Sequence, residues 1–152
     1  MTVIDDKTLR IERTFEAPAD RVFAAWTSPE VMRRWWQVES NWKTAEAAVD
    51  LRVGGAVRVV MHNPDKDEDY GGGGLYTEVD PPRRLSFTWR WDWDTRSSLV
   101  EIDFEETDGG GTKVTFTHSG LFNEEIVRDH DDGWSKILDR LGRMLEAARS
   151  EG

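Results

Sequence analysis

The chain has 152 residues, a net charge of −10 at pH 7, 38% hydrophobic and 11% aromatic residues, and no cysteine. That length suits one domain with one sizeable core, so residues 1–152 read as a single unit, and the charge argues against nucleic acid or an anionic membrane surface as partner. The missing cysteines exclude a disulfide framework and thiolate chemistry, and neither a leader pattern nor a run of about 18 apolar residues occurs, which points to the cytoplasm.

In "TLRIERTF", residues 8–15, Leu9, Ile11, Arg13 and Phe15 alternate with Thr8, Arg10, Glu12 and Thr14. That is the period of a strand, with Arg13 its one polar exception. Pro18 then suits the first turn of a helix carrying Val22, Phe23 and Trp26. Ser28 caps a second short helix, where Val31, Met32, Trp35 and Trp36 fall at helical spacing after Pro29.

From Trp42 to His118, strand follows strand. "WKTAEAAVDLRV" ends at Gly54-Gly55, and "AVRVVMHN" sets Val57, Val59 and Met61 on one face. "NPDKDEDYGGGG" reads as a loop whose glycines lead flexibly into the next strand. "LYTEVDPPRRLSFTWRW" is a hairpin turned at Asp80-Pro81-Pro82. After it, Val100, Ile102 and Phe104 alternate in one strand, and Val114, Phe116 and His118 in another. About seven strands joined by short turns make an antiparallel sheet.

The hairpin ends in "TWRWDWD", residues 88–94, which would put Phe87, Trp89, Trp91 and Trp93 on one face. Left in water, such rings forgo about 1.5–3 kcal/mol each, so something must cover them. The cover is the segment Asn123 to Ser150. There Ile126, His130, Gly133, Trp134, Ile137, Leu138, Leu141, Met144, Leu145 and Ala148 share one stripe of a helix about 40 Å long, with Gly133 a candidate break. Seven strands about 4.8 Å apart span over about 30 Å, whereas a helix is only about 10–12 Å across. The sheet must therefore curl around the helix, with the two short helices plugging one end, and the curl leaves room for a cavity.

This order, with the motifs "FEAPADRVFAAWTSPEVMRRWW", "DLRVGGAVRVVM", "GLYTEVDPPRRLSFTW" and "HDDGW", resembles the family related to the C-terminal domain of the activator of heat-shock protein 90 ATPase. That family lies within the START-like, birch-pollen-allergen-like superfamily. The resemblance runs from Ile11 to Leu145 and implies an α+β helix-grip fold with an apolar cavity. Superfamily relatives bind lipids or aromatic molecules, and some catalyse cyclisations. The eukaryotic activator carries a separate chaperone-contacting domain for which this chain has no room, so a chaperone partner is not expected.

Other chemistries find thin support. Asp65, Asp67 and Asp69 have calcium-loop spacing, but Tyr70 stands where the loop needs Gly and Tyr76 where it needs Glu. Gly71 to Gly74 lack the Lys-Ser/Thr of a phosphate cradle. Three histidines without cysteine offer no zinc spacing. The expectation is a small apolar or aromatic ligand, bound without metal or cofactor. Its site draws on Trp35, Trp36, Val59, Met61, Tyr76, Phe87, Trp89, Trp91, Ile102, Phe104, Phe116, His118, His130, Trp134 and Leu138. His118, His130 and Tyr76 are either core groups with hydrogen-bond partners or the polar pole of the pocket. A cyclase or hydrolase would have to rely on His118, His130 and Glu78, and no catalytic residue is assigned. A co-chaperone module and a homodimer stay open.

Overall fold

The computed structural model describes residues 2–151, with side chains from 5 to 147. Strands β1 (Thr2–Asp5) and β2 (Thr8–Phe15) precede helix α1 (Ala19–Thr27) and the one-turn α2 (Pro29–Met32). Strands β3 (Lys43–Val49), β4 (Ala56–Asn63), β5 (Glu68–Asp80), β6 (Arg84–Trp91), β7 (Ser98–Glu106) and β8 (Thr112–Ser119) follow, then helix α3 (Glu124–Glu151). The strands form one antiparallel sheet in the order β1-β2-β8-β7-β6-β5-β4-β3. Seven are those expected; the eighth, β1, pairs with β2 and is only four residues long, too short for a period to show.

The sheet is curved and α3 lies in its grip. Val57, Val59 and Met61 of β4, Phe87 and Trp89 of β6, and Ile102 and Phe116 of β7 and β8 are buried in one cluster with Trp134, Ile137, Leu138 and Leu141 of α3. Arg13, the polar exception of β2, reaches out to Asp139 on α3 at 3.2 Å. The helix is capped by Asn123, whose Oδ1 accepts from Ile126 N at 3.0 Å, and Glu124 and Glu125 complement its N-terminal dipole.

Gly133 does not break α3, which is continuous over 28 residues. A helical glycine costs about 1 kcal/mol, less than the burial of any one large side chain on the stripe. The buried face is turned slightly from the expected one. Val127 and Asp131 are buried, while Ile126, His130 and Met144 are half-buried. Ala148 lies outside the described side chains.

Three local expectations are corrected. Pro18 is the N-cap of α1 rather than a first-turn residue. Gly71–Gly74 are not loop but the middle of β5, because neighbours occupy the space their side chains would need. A Cβ on Gly72 would lie 2.6 Å from Cζ2 of Trp89, and one on Gly73 or Gly74 would meet the carbonyl of Val57 or Thr88. Finally, the register shifts between Tyr76 and Glu78, so Tyr76 pairs with inward Phe87 and Glu78 with Ser86 on the outer face. There Glu78 accepts from Arg84 Nε at 2.7 Å, alongside Glu101 and Asp103, instead of joining a histidine.

Candidate functional site

The indoles of the two short helices and their exit turn meet those of the sheet. Trp35 is fully buried and donates its Nε1 hydrogen to Ala25 O at 3.1 Å. Trp36 stacks on Trp89 at 5.9 Å between ring centres and meets Trp134 edge-on at 5.4 Å. Such aromatic pairs contribute about 0.5–1.5 kcal/mol each beyond area burial. Both were expected on the second short helix, but α2 ends at Met32 and they follow it. The chain turns inward after Met32, and Trp36 N donates to Met32 O at 3.0 Å.

Beyond Trp36 the packing opens into a cavity of about 280 Å³. Trp36, Trp89, Trp91, Trp93 and Trp134 supply its walls with Val38, Met61 and Ile137. Asp129, His130, Asp132 and Gly133 of α3 supply the rest. Trp91 stands nearly perpendicular to Trp89 and stacks on Trp93 at 4.7 Å. Trp93 lies past the end of β6 and is 62% exposed, so the aromatic row runs from core to solvent. The indole N–H of Trp89 is buried and has no acceptor among the described residues.

Two histidines, His130 in this wall and His118 behind it, each accept from an indole. Trp134 Nε1 donates to His118 Nδ1 at 3.0 Å, so the ring proton of neutral His118 sits on Nε2, which donates to Ser98 Oγ at 2.6 Å. Ser98 in turn donates to Trp89 O at 3.2 Å. His130 has the opposite tautomer, with Nδ1 donating to Ile126 O at 2.9 Å and Nε2 accepting from Trp91 Nε1 at 3.1 Å. Burial holds His118 well below the ordinary histidine value, and the nearby His130 lowers it further. Burial also lowers His130, partly offset by the Ile126 carbonyl and Asp129. Each neutral ring thus has its lone pair committed to an indole N–H, so neither histidine is free to act as a base in this arrangement.

The carboxylates at the rim differ. Asp132 lies 3.4 Å from Lys136, which also holds Glu39 at 2.9 Å and so ties the segment after α2 to α3. Asp129 is exposed and makes no hydrogen bond or ion pair among the described residues. A larger cleft of about 440 Å³ lies elsewhere, between Phe15, Pro18, Arg21 and the turn at Gly109–Gly111, and has no tryptophan. Asp65 and Asp69, from the calcium-like spacing, are engaged by Asn41 at 3.1 Å and His62 at 2.7 Å.

Of the residues singled out by sequence, Trp36, Met61, Trp89, Trp91, His130 and Trp134 line the cavity. Trp35, Val59, Tyr76, Phe87, Ile102, Phe104, Phe116, His118 and Leu138 are buried in the packed core around it. Val38, Trp93, Asp129, Asp132, Gly133 and Ile137 line it without having been named as site residues. Trp93 and Ile137 carried the right periodic signal. Val38 and the aspartates, lying in an irregular segment and on a polar helix flank, carried none.

The fold and its aromatic cavity define a helix-grip protein of the START-like superfamily. The chain belongs to the Activator of Hsp90 ATPase homolog 1-like protein family, whose profile matches residues 16–146. Among solved structures it is similar to the AHSA1-like protein from Aeromonas hydrophila, with 31% identity, a TM-score of 0.80 and 93% of each chain covered. It is also similar to the AHSA1 protein from Silicibacter pomeroyi, with 27% identity and a TM-score of 0.82 over 93% of this chain and 99% of that one. A third, from Mycobacterium smegmatis, gives 28% identity and a TM-score of 0.80 over 97% and 96%. No curated protein matches the chain. Among the described residues, no helix is long and apolar enough to cross a membrane.

Proposed function

We propose that the protein binds a small apolar or aromatic molecule in the tryptophan-walled cavity, and that it works in the cytoplasm. The observation that carries the reading is the cavity itself. A cleft of about 280 Å³ stays open between five indoles and α3, near the lower end of small-molecule sites at roughly 300–1,000 Å³. The commitment of both histidine lone pairs favours binding over catalysis.

The test fills the cavity from the helix side. Gly133 lines it, and a Cβ there would meet nothing nearer than Val38 Cγ2 at 3.9 Å, so Gly133→Leu starts its side chain in open space at the cavity wall. A panel of small aromatic probes is titrated while tryptophan fluorescence is followed. Saturable quenching in the parent protein, lost in folded Gly133→Leu, supports the reading. Absence of saturable binding across the panel removes it.

A further inference from the structure

Resting on the binding reading above, we infer that the cavity selects an organic cation, a molecule with an ammonium group on an apolar or aromatic body. Two independent features converge on this. The first is the wall. Five indoles border one small space; Trp36–Trp89 and Trp91–Trp93 are stacked pairs and Trp91 stands 87° from Trp89, so the wall is built of π-systems at several orientations. Indole faces carry the negative lobe of the ring quadrupole, and tryptophan is the best of the aromatic residues at holding a cation.

The second feature is the sign of the rim. Among the lining residues the ionised groups are Asp129 and Asp132, and no lysine or arginine is among them. His130, the one basic side chain in the lining, is held neutral by burial while it accepts from Trp91. Asp132 shares Lys136 with Glu39, whereas Asp129 has no cation against it among the described residues. A carboxylate guest would meet two like charges and desolvate without a partner. An ammonium guest would put its charge between indole faces and Asp129 while its body filled the apolar space. The whole-chain charge of −10 favours the approach of cations over anions in general.

The site differs from a calcium or magnesium centre in kind. Its walls offer rings where a hard metal ion needs several oxygens at short range. A quaternary or alkylated ammonium, weakly hydrated and bulky, fits such walls.

The experiment compares three probes of similar size: benzyltrimethylammonium, its uncharged carbon isostere neopentylbenzene, and phenylacetate. Affinities are read by calorimetry or tryptophan quenching at low salt. The ammonium should bind at least about ten-fold more tightly than the isostere, and phenylacetate most weakly. Asp129→Asn should weaken the ammonium about three- to ten-fold while leaving the isostere unchanged. Trp93→Leu, an exposed position whose change spares the core, should weaken the ammonium preferentially. Equal or tighter binding of the isostere, or no selective effect of Asp129→Asn, overturns cation selection while the binding reading stands. No saturable binding of any probe overturns both.

Discussion

Trp134 of α3 and His118 of β8 are joined by a hydrogen bond between Nε1 and Nδ1 at 3.0 Å, and both side chains are buried. The bond ties the long helix to the sheet at the level of the cavity, and through Ser98 it continues to the backbone of Trp89. His118 is fully buried with both nitrogens paired, so its role is structural and lies behind the site. Replacing it leaves the buried Trp134 N–H without an acceptor, while Ser98 keeps its bond to the Trp89 carbonyl. His118→Phe should lower the free energy of unfolding by about 1–3 kcal/mol, measured by urea denaturation, with little change in the affinity of any bound probe. A variant of unchanged stability but altered affinity would reverse that assignment.

Acid should weaken the fold before the carboxylates titrate. His118 and His130 are both held below the ordinary histidine value of 6.5 by burial, so near that pH the unfolded chain takes up protons that the folded chain refuses. Their contribution is complete above about pH 6.5 and is lost as the pH falls below it, until the folded rings themselves protonate. Asp92 and Asp94, lowered by Arg58 and Arg96, act only below the ordinary value of 3.8. Asp131, raised by burial, works in the opposite direction just above that value. Urea midpoints should therefore drop steadily from pH 7 to pH 5. His118→Phe should show a shallower drop, and parallel slopes in the two proteins would contradict the account.

Two glycines should respond to alanine with opposite signs. At Gly72 the new methyl would press within 2.6 Å of the Trp89 ring, and overpacking of this kind costs about 1–3 kcal/mol. At Gly133 the space is open and the residue is helical, so Gly133→Ala should raise stability by about 0.5–1 kcal/mol. Melting temperatures of the two variants check the pair. A destabilised Gly133→Ala would mean that the cavity wall does not tolerate even a methyl group.

The family description names an Hsp90 ATPase, and a co-chaperone needs a docking surface rather than a cavity. Leu51, Val53 and Leu75 are exposed around the β3–β4 turn, where Leu75 pairs with Ala56. Three such side chains make a small patch. We expect little or no stimulation of an Hsp90 ATPase at micromolar protein. A several-fold stimulation that disappears when these three positions are changed to Ser would move the function from the interior to this surface.

Much of the fold was legible because β6, β7 and β8 alternate cleanly and α3 carries one apolar stripe. Where side chains vanish, as at Gly71–Gly74, the period vanishes too, and the strand became visible only from the neighbours packed over it. A single bulge at Tyr76–Glu78 reversed the facing of Glu78, a shift that no pattern of residue types signals. At the site, the inward ladder of Trp89 and Trp91 was readable from spacing. The pairing of His118 and His130 with indole N–H groups was not, since it joins residues 16 and 39 positions apart.

The aromatic contacts have an optical consequence. Trp26, Trp35, Trp36, Trp89, Trp91, Trp93 and Trp134 form an unbroken chain of ring contacts, and Trp42 joins it through Tyr70. At such separations excitation does not stay on the indole that absorbed it. It migrates along the chain toward the rings of lowest excited-state energy, and the solvated, stacked pair Trp91–Trp93 is where the emission should collect. The molecule therefore behaves as one antenna with its outlet at the cavity, and a guest touching that outlet can darken tryptophans buried far from it.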